Sequence, residues 1–201
     1  MGIEIGWIDH ELAAEFPDLD LRYVVVDARL DASPVELRNQ LADMSTRFRG
    51  RQAMALPTQP VPSAYRAFFR QVGLDPEVVR NPAEAVTYDR IMRGGFLSRN
   101  HLADALMSAI IETHVALGAL DADVLAEPLG IRPNSDGVLV IADADQTVSA
   151  LFGPPLRGFE LTPRTRRVAI TAVGVAGVHD WMLDHALWRV ADLLGYDLDS
   201  E

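Results

Sequence analysis

His101 and Asp104 stand three residues apart, a spacing that puts an imidazole and a carboxylate on one face of a helix. A carboxylate that orients a histidine makes the ring a general base or an anchor for a substrate, so these two are the catalytic candidates. Arg93, Ser98, Arg99 and Asn100 crowd the same stretch. Arg90, Arg93 and Arg99, held by Glu84, can grip a carboxylate or phosphate by bidentate contact, or Glu84 can simply pair with these arginines at the surface, where such pairs contribute little. The alternative for the pair is a helix N-terminus in which Asn100 and Asp104 satisfy backbone N–H groups and His101 faces water. His179, Asp180, Asp184 and His185 are metal-ligand types, but positions 179 and 185 lie about 240° apart round a helix. No metal and no cofactor are expected.

Two helices must position these groups. Asn81 caps the first, with Pro82 just inside it, and Ala85, Val86, Ile91 and Met92 form its expected apolar stripe. Gly94-Gly95 ends that run. Asn100 caps the second helix, where Leu102, Leu106, Ala109, Ile110, Thr113 and Leu117 follow at helical spacing up to a stop at Gly118. Asp121 forms a polar exit.

The stretch NPAEAVTYDRIMRGGFLSRNHLADALMSAIIETHVALGALDADVL, residues 81–125, resembles the editing (B-three/B-four, tRNA-binding) domain of the phenylalanyl-tRNA synthetase beta subunit, and more closely the free-standing proteins built from that module. Pro82, Glu84, Ala85 and Val86 carry the first motif, with Arg90 and Arg93 at its basic end. Asn100, Leu102 and Asp104 carry the second, and Asp121, Asp123 and Leu125 the third. The chain departs from the pattern at Met107, where the family has an asparagine, at Ala103 for a valine and at Leu120 for a tyrosine. The resemblance extends more loosely from about Tyr65 to Leu194. It implies a pocket that takes an aminoacyl group or similar amino-acid-like ligand, with Glu84, Arg93, Arg99, Asn100 and Asp121 as binding residues, and hydrolysis of mischarged aminoacyl-tRNA in trans. The alternatives are a non-catalytic module that docks tRNA or a protein, and the same pocket recruited to unrelated small-molecule chemistry.

Composition narrows the classes. At 201 residues, 49% hydrophobic and 23% charged, the chain suits one domain with a proper core. The net charge of -11 argues against a protein that coats nucleic acid and leaves at most weak, salt-dependent RNA binding; no DNA partner is expected. Every basic residue is arginine, which rules out a lysine Schiff base, and the lack of cysteine rules out disulfides and thiolate chemistry. The start MGIEIGWIDHELAAEF is acidic where a secretory signal is basic, and Val168 to Val178 is too short to span a bilayer, so a cytoplasmic protein without membrane contact is expected, monomer or dimer. No phosphate loop, nucleophile elbow or H-E-x-x-H motif occurs.

The remaining elements read as strands at Glu4–Trp7 and Leu21–Arg29, a turn of helix at 10–16, and a helix from Ser33-Pro34 to Phe48 with Ser33 as cap. Pro57–Pro62 reads as a rigid connector, and Ser63–Val72 as a helix burying Tyr65, Phe68 and Phe69. Strands are expected at Leu129–Arg132, Gly137–Ala142, Val148–Phe152, Leu156–Leu161 and Arg167–Val175. A closing helix follows over His179–Leu194, packed by Trp181, Leu183, Leu187, Val190, Ala191 and Leu194, with a solvated tail beyond it. The order implies an α+β fold, a β-sandwich-like sheet core flanked by helices in a single domain. Residues 1–62 elaborate its N-terminus and 63–195 form the editing-like part.

Overall fold

The computed structural model describes residues 2–48 and 50–196; the expected solvated tail, 197–201, lies outside them. In chain order the first elements are β1 (Glu4–Ile5), β2 (Trp7–Ile8), α1 (His10–Glu15), β3 (Asp20–Asp27), α2 (Val35–Arg47), α3 (Gly50–Ala55) and α4 (Pro60–Gln71). Then come α5 (Pro82–Arg93), α6 (His101–Thr113), β4 (Ala116–Asp121), β5 (Gly130–Pro133), β6 (Leu139–Ala142), β7 (Thr147–Ala150), β8 (Arg167–Gly174) and α7 (Asp180–Leu193). The fold is α+β, as expected.

Two four-stranded sheets form, ordered β1-β3-β8-β4 and β2-β5-β6-β7. The β-branched runs of β3 and β8 pair antiparallel along their full lengths, from Asp20 opposite Gly174 to Asp27 opposite Arg167. Strand β8 is buried at every position after Arg167 because it is central in its sheet and covered on both faces. Leu183 of α7 approaches it so closely that a Cβ on Gly174 would sit 2.9 Å from the leucine Cδ1. In the second sheet β5, β6 and β7 form the expected antiparallel meander, while β2 joins β5 in parallel. There the Trp7 indole lies over Gly130, whose Cβ would come 2.0 Å from Trp7 Cδ2. Val24 and Ile170 of one sheet, Ile131 and Val148 of the other, and Leu102 and Leu187 of the helices share one hydrophobic core.

Several elements differ from expectation. Ser33 does not cap α2, which starts at Val35 behind Pro34 without a side-chain cap. Pro60 and Pro62 are not in a connector but in the first turn of α4, where absent N–H groups cost nothing. Helix α6 stops at Thr113, with His114 in the left-handed conformation at φ 60°. Leu117 and Gly118 therefore belong to β4, not to the helix. Residues 156–161 form no strand; Pro155 alone bridges to Ser149. The face α5 buries is Ala83, Glu84 and Thr87, while Ile91 and Met92 are exposed. Trp181 is likewise exposed, and Ala186 takes a place in the α7 packing face. No helix among the described residues is long and apolar enough to cross a membrane.

Candidate functional site

Asn100 caps α6 as its sequence position implies, its side chain accepting from the Ala103 N–H at 2.9 Å. In the first turn of that helix, Asp104 is fully buried. Its Oδ2 accepts from the hydroxyls of Ser33 and Ser98, both at 2.5 Å, and its Oδ1 from the Arg99 N–H at 2.8 Å. Three donors from two separate loops thus converge on one carboxylate. That arrangement fastens the segments before α2 and α6 to the helix and holds the carboxylate fully buried, away from solvent.

His101 does not meet Asp104. Its Nε2 lies 2.8 Å from the carbonyl oxygen of Leu193 at the end of α7, and its backbone N–H donates to Asp31 O. The expected imidazole–carboxylate pair is therefore absent, because each partner is taken by a segment distant in sequence. Asp121 stands at the far end of β4, accepting from Thr165 Oγ1 at 2.5 Å and from the Asp123 N–H. It closes a loop and is not part of the lining that Arg99 contributes to between α5 and α6. Glu84 pairs with Arg66 of α4 at 3.0 Å and not with Arg90, Arg93 or Arg99. Burial works against the Arg66 charge, but hydrogen bonds and attraction from Glu84 and Glu77 outweigh it and raise the pKa.

Arg93 and Arg99 do come together. Asp89 draws both, Arg93 Nε at 2.6 Å and Arg99 Nη2 at 3.5 Å. Asp89 and Arg99, but not Arg93, line a cavity of about 220 Å³ between α5 and α6. Val86, Phe96, Leu106, Met107 and Ile110 provide apolar lining, and Asp89, Arg90 and Arg99 the charged part. Buried Phe96 and Ile110 mark its closed end and exposed Arg99 its open one. Arg90 Nη2 donates to Ser45 O at 2.8 Å, whereas its buried Nε has no partner. A site of this size and lining suits a small ligand with an apolar body and a polar or charged head.

No family model matches the chain, and no curated protein matches it.

A smaller cavity of about 90 Å³ lies between the sheets, lined by Leu117 and Gly118 of β4, Thr171 of β8, Ser149 of β7 and the 152–155 turn. A Cβ on Gly118 would stand 2.9 Å from Thr171 Oγ1, so the glycine keeps this space open. Sequence reasoning placed Gly118 at a helix end and missed both this gap and Asp89. The readable signal for Asp89 was its i,i+4 relation to Arg93.

Proposed function

We propose that the cavity between α5 and α6 binds a small amino-acid-like ligand, free or as the aminoacyl end of a tRNA. The observation that carries this reading is the joining of an apolar wall, to which Met107 contributes, to an edge bearing both a carboxylate and guanidinium groups. An apolar ligand side chain fits the wall, its ammonium group the Asp89 carboxylate, and its carboxylate or neighbouring phosphates Arg99 and Arg90. The volume of about 220 Å³ falls below the ~300–1,000 Å³ typical of drug-sized ligands, which favours a ligand of one amino acid's size.

Binding is favoured over catalysis because neither His101 nor Asp104 lines the cavity and the Asp104 carboxylate is fully buried among three donors. Hydrolysis of a bound aminoacyl ester is the narrower reading. It rests on the resemblance of residues 81–125 and needs only a held water and donors to the developing oxyanion. Cytoplasmic residence accompanies either form, and the net charge of -11 leaves any tRNA contact weak and salt-dependent.

A thermal-shift titration with free amino acids and non-hydrolysable aminoacyl-ester analogues tests the reading. A ligand at 100 times its dissociation constant adds roughly 2.7 kcal/mol of apparent stability. Asp89→Asn and Arg99→Ala, both at exposed or half-exposed positions, are expected to abolish that shift. Deacylation of mischarged tRNA then separates the hydrolytic form from simple binding.

A further inference from the structure

Helix α5 separates two cavities. Val86, Asp89 and Arg90 face the one described above; Glu84, Thr87, Tyr88 and Ile91, at steps of three and four, line another on the opposite face, of about 160 Å³. Arg66, Glu77 and Arg80 complete its polar lining, with Leu56 among its apolar walls.

Two features of this second cavity are unusual. The Glu84 side chain is only 7% exposed, and although Oε1 accepts from Arg66, Oε2 has no hydrogen-bond partner. A buried carboxylate oxygen without a donor is a standing cost that a ligand N–H would remove. Separately, the Arg80 guanidinium carbon lies 4.3 Å from the ring centroid of Tyr88, so the aromatic face already receives a cation from within the chain. Arg66 pairs with both Glu84 and Glu77. With Arg80 in place, two arginines balance two carboxylates. With Arg80 turned to solvent, two carboxylates face one arginine, and the cavity lacks a single positive charge.

We propose that this cavity is a binding site for a small organic monocation bearing N–H donors, a guanidinium or primary ammonium compound, which donates to Glu84 Oε2 and replaces Arg80 over the Tyr88 ring. The site is independent of the reading given for the α5–α6 cavity, since the two share no lining residue.

Calorimetric titration of the full chain with methylguanidinium chloride, at constant chloride concentration, tests this. Saturable binding is expected, with tetramethylammonium, which has no N–H, bound at least about tenfold more weakly. Tyr88→Leu should weaken methylguanidinium by about threefold or more. Arg80→Ala should tighten it, because the internal competitor is gone. Glu84→Gln should weaken it further than Tyr88→Leu, with circular dichroism reporting whether its fold survives. If that variant unfolds, the two exposed-residue variants decide alone. No saturable binding, equal affinity for tetramethylammonium, or unchanged affinity in either Tyr88→Leu or Arg80→Ala would overturn the proposal.

Discussion

Replacing Asp104 by alanine removes the acceptor shared by Ser33 Oγ, Ser98 Oγ and the Arg99 N–H at the start of α6. Hydrogen bonds to a charged group contribute about 1.5–3 kcal/mol each. The three do not add fully, since the hydroxyls can rotate and Arg99 lies on an exposed segment where water can reach its N–H. A net loss of about 3–5 kcal/mol is expected, the range for dismantling a buried charged network. For a chain of 201 residues, at about 2–4 °C per kcal/mol, the melting temperature should fall by about 6–20 °C. Asp104→Asn keeps the shape, and its amide can still donate to the two hydroxyls, so only charge assistance is lost, about 1.5–3 kcal/mol. Urea denaturation of the two variants and of Ser33→Ala and Ser98→Ala, read as double-mutant cycles, measures these terms. A loss below about 1 kcal/mol in Asp104→Ala would refute the view of this carboxylate as a structural clamp and reopen a catalytic role.

Other perturbations follow from the same reasoning. The fully buried Tyr65 hydroxyl donates to Val173 O at 2.6 Å and accepts from the Ala116 N–H at 3.0 Å, and burial pushes its pKa up. Tyr65→Phe leaves a strand donor and acceptor unpaired and should lower stability by about 1–3 kcal/mol in urea titration; a neutral result would contradict the pairing. Burial lowers the His114 pKa below its ordinary value of 6.5. The unfolded chain then binds the proton more readily, so stability is intact above pH 6.5 and declines as pH falls through the lower folded value. His114→Asn, which tolerates the left-handed backbone, should therefore gain on the wild type between about pH 7 and about pH 5, and parallel urea midpoints would sink this explanation. Gly130→Ala drives a Cβ to 2.0 Å from Trp7 Cδ2, whereas Gly118→Ala meets only Thr171 Oγ1 at 2.9 Å. The first should cost at least about 1–3 kcal/mol and more than the second, and calorimetry giving the reverse order would contradict the close approach of the two strands.

The parts of the fold legible in the sequence are those fixed by local chemistry. Tyr23 to Val26 and Val168 to Val173 are β-branched or apolar runs that become the paired strands β3 and β8. Asn81 and Asn100 cap helices because their side chains reach the first-turn N–H group three residues on. What depends on distant partners was not legible. The buried face of α5 includes Glu84 because Arg66, on another helix, supplies its counter-charge. An apolar count therefore selected Ile91 and Met92, which remain exposed. The end of α6 was misplaced because His114, not a glycine, adopts the left-handed turn, and because β8 recruits residues 116–121 as a neighbour. At the candidate site, spacing correctly put His101 and Asp104 in one turn, but Leu193, Ser33 and Ser98 separate their side chains. Arg99 and Met107 are lining residues that the sequence did mark; Asp89, which joins Arg99 to Arg93, is not singled out by its sequence position.

The ligand proposed for the α5–α6 cavity is the size of one amino acid. The most direct measurement is a calorimetric titration of wild type and Met107→Trp with the amino acid or aminoacyl-ester analogue that gives the largest thermal shift. Met107 is only partly buried, so the larger side chain should fill the cavity with the fold kept. Saturable binding to wild type is expected, and none to Met107→Trp at an unchanged circular dichroism spectrum. Failure of every such ligand to bind wild type, or equal binding to the filled variant, would contradict it.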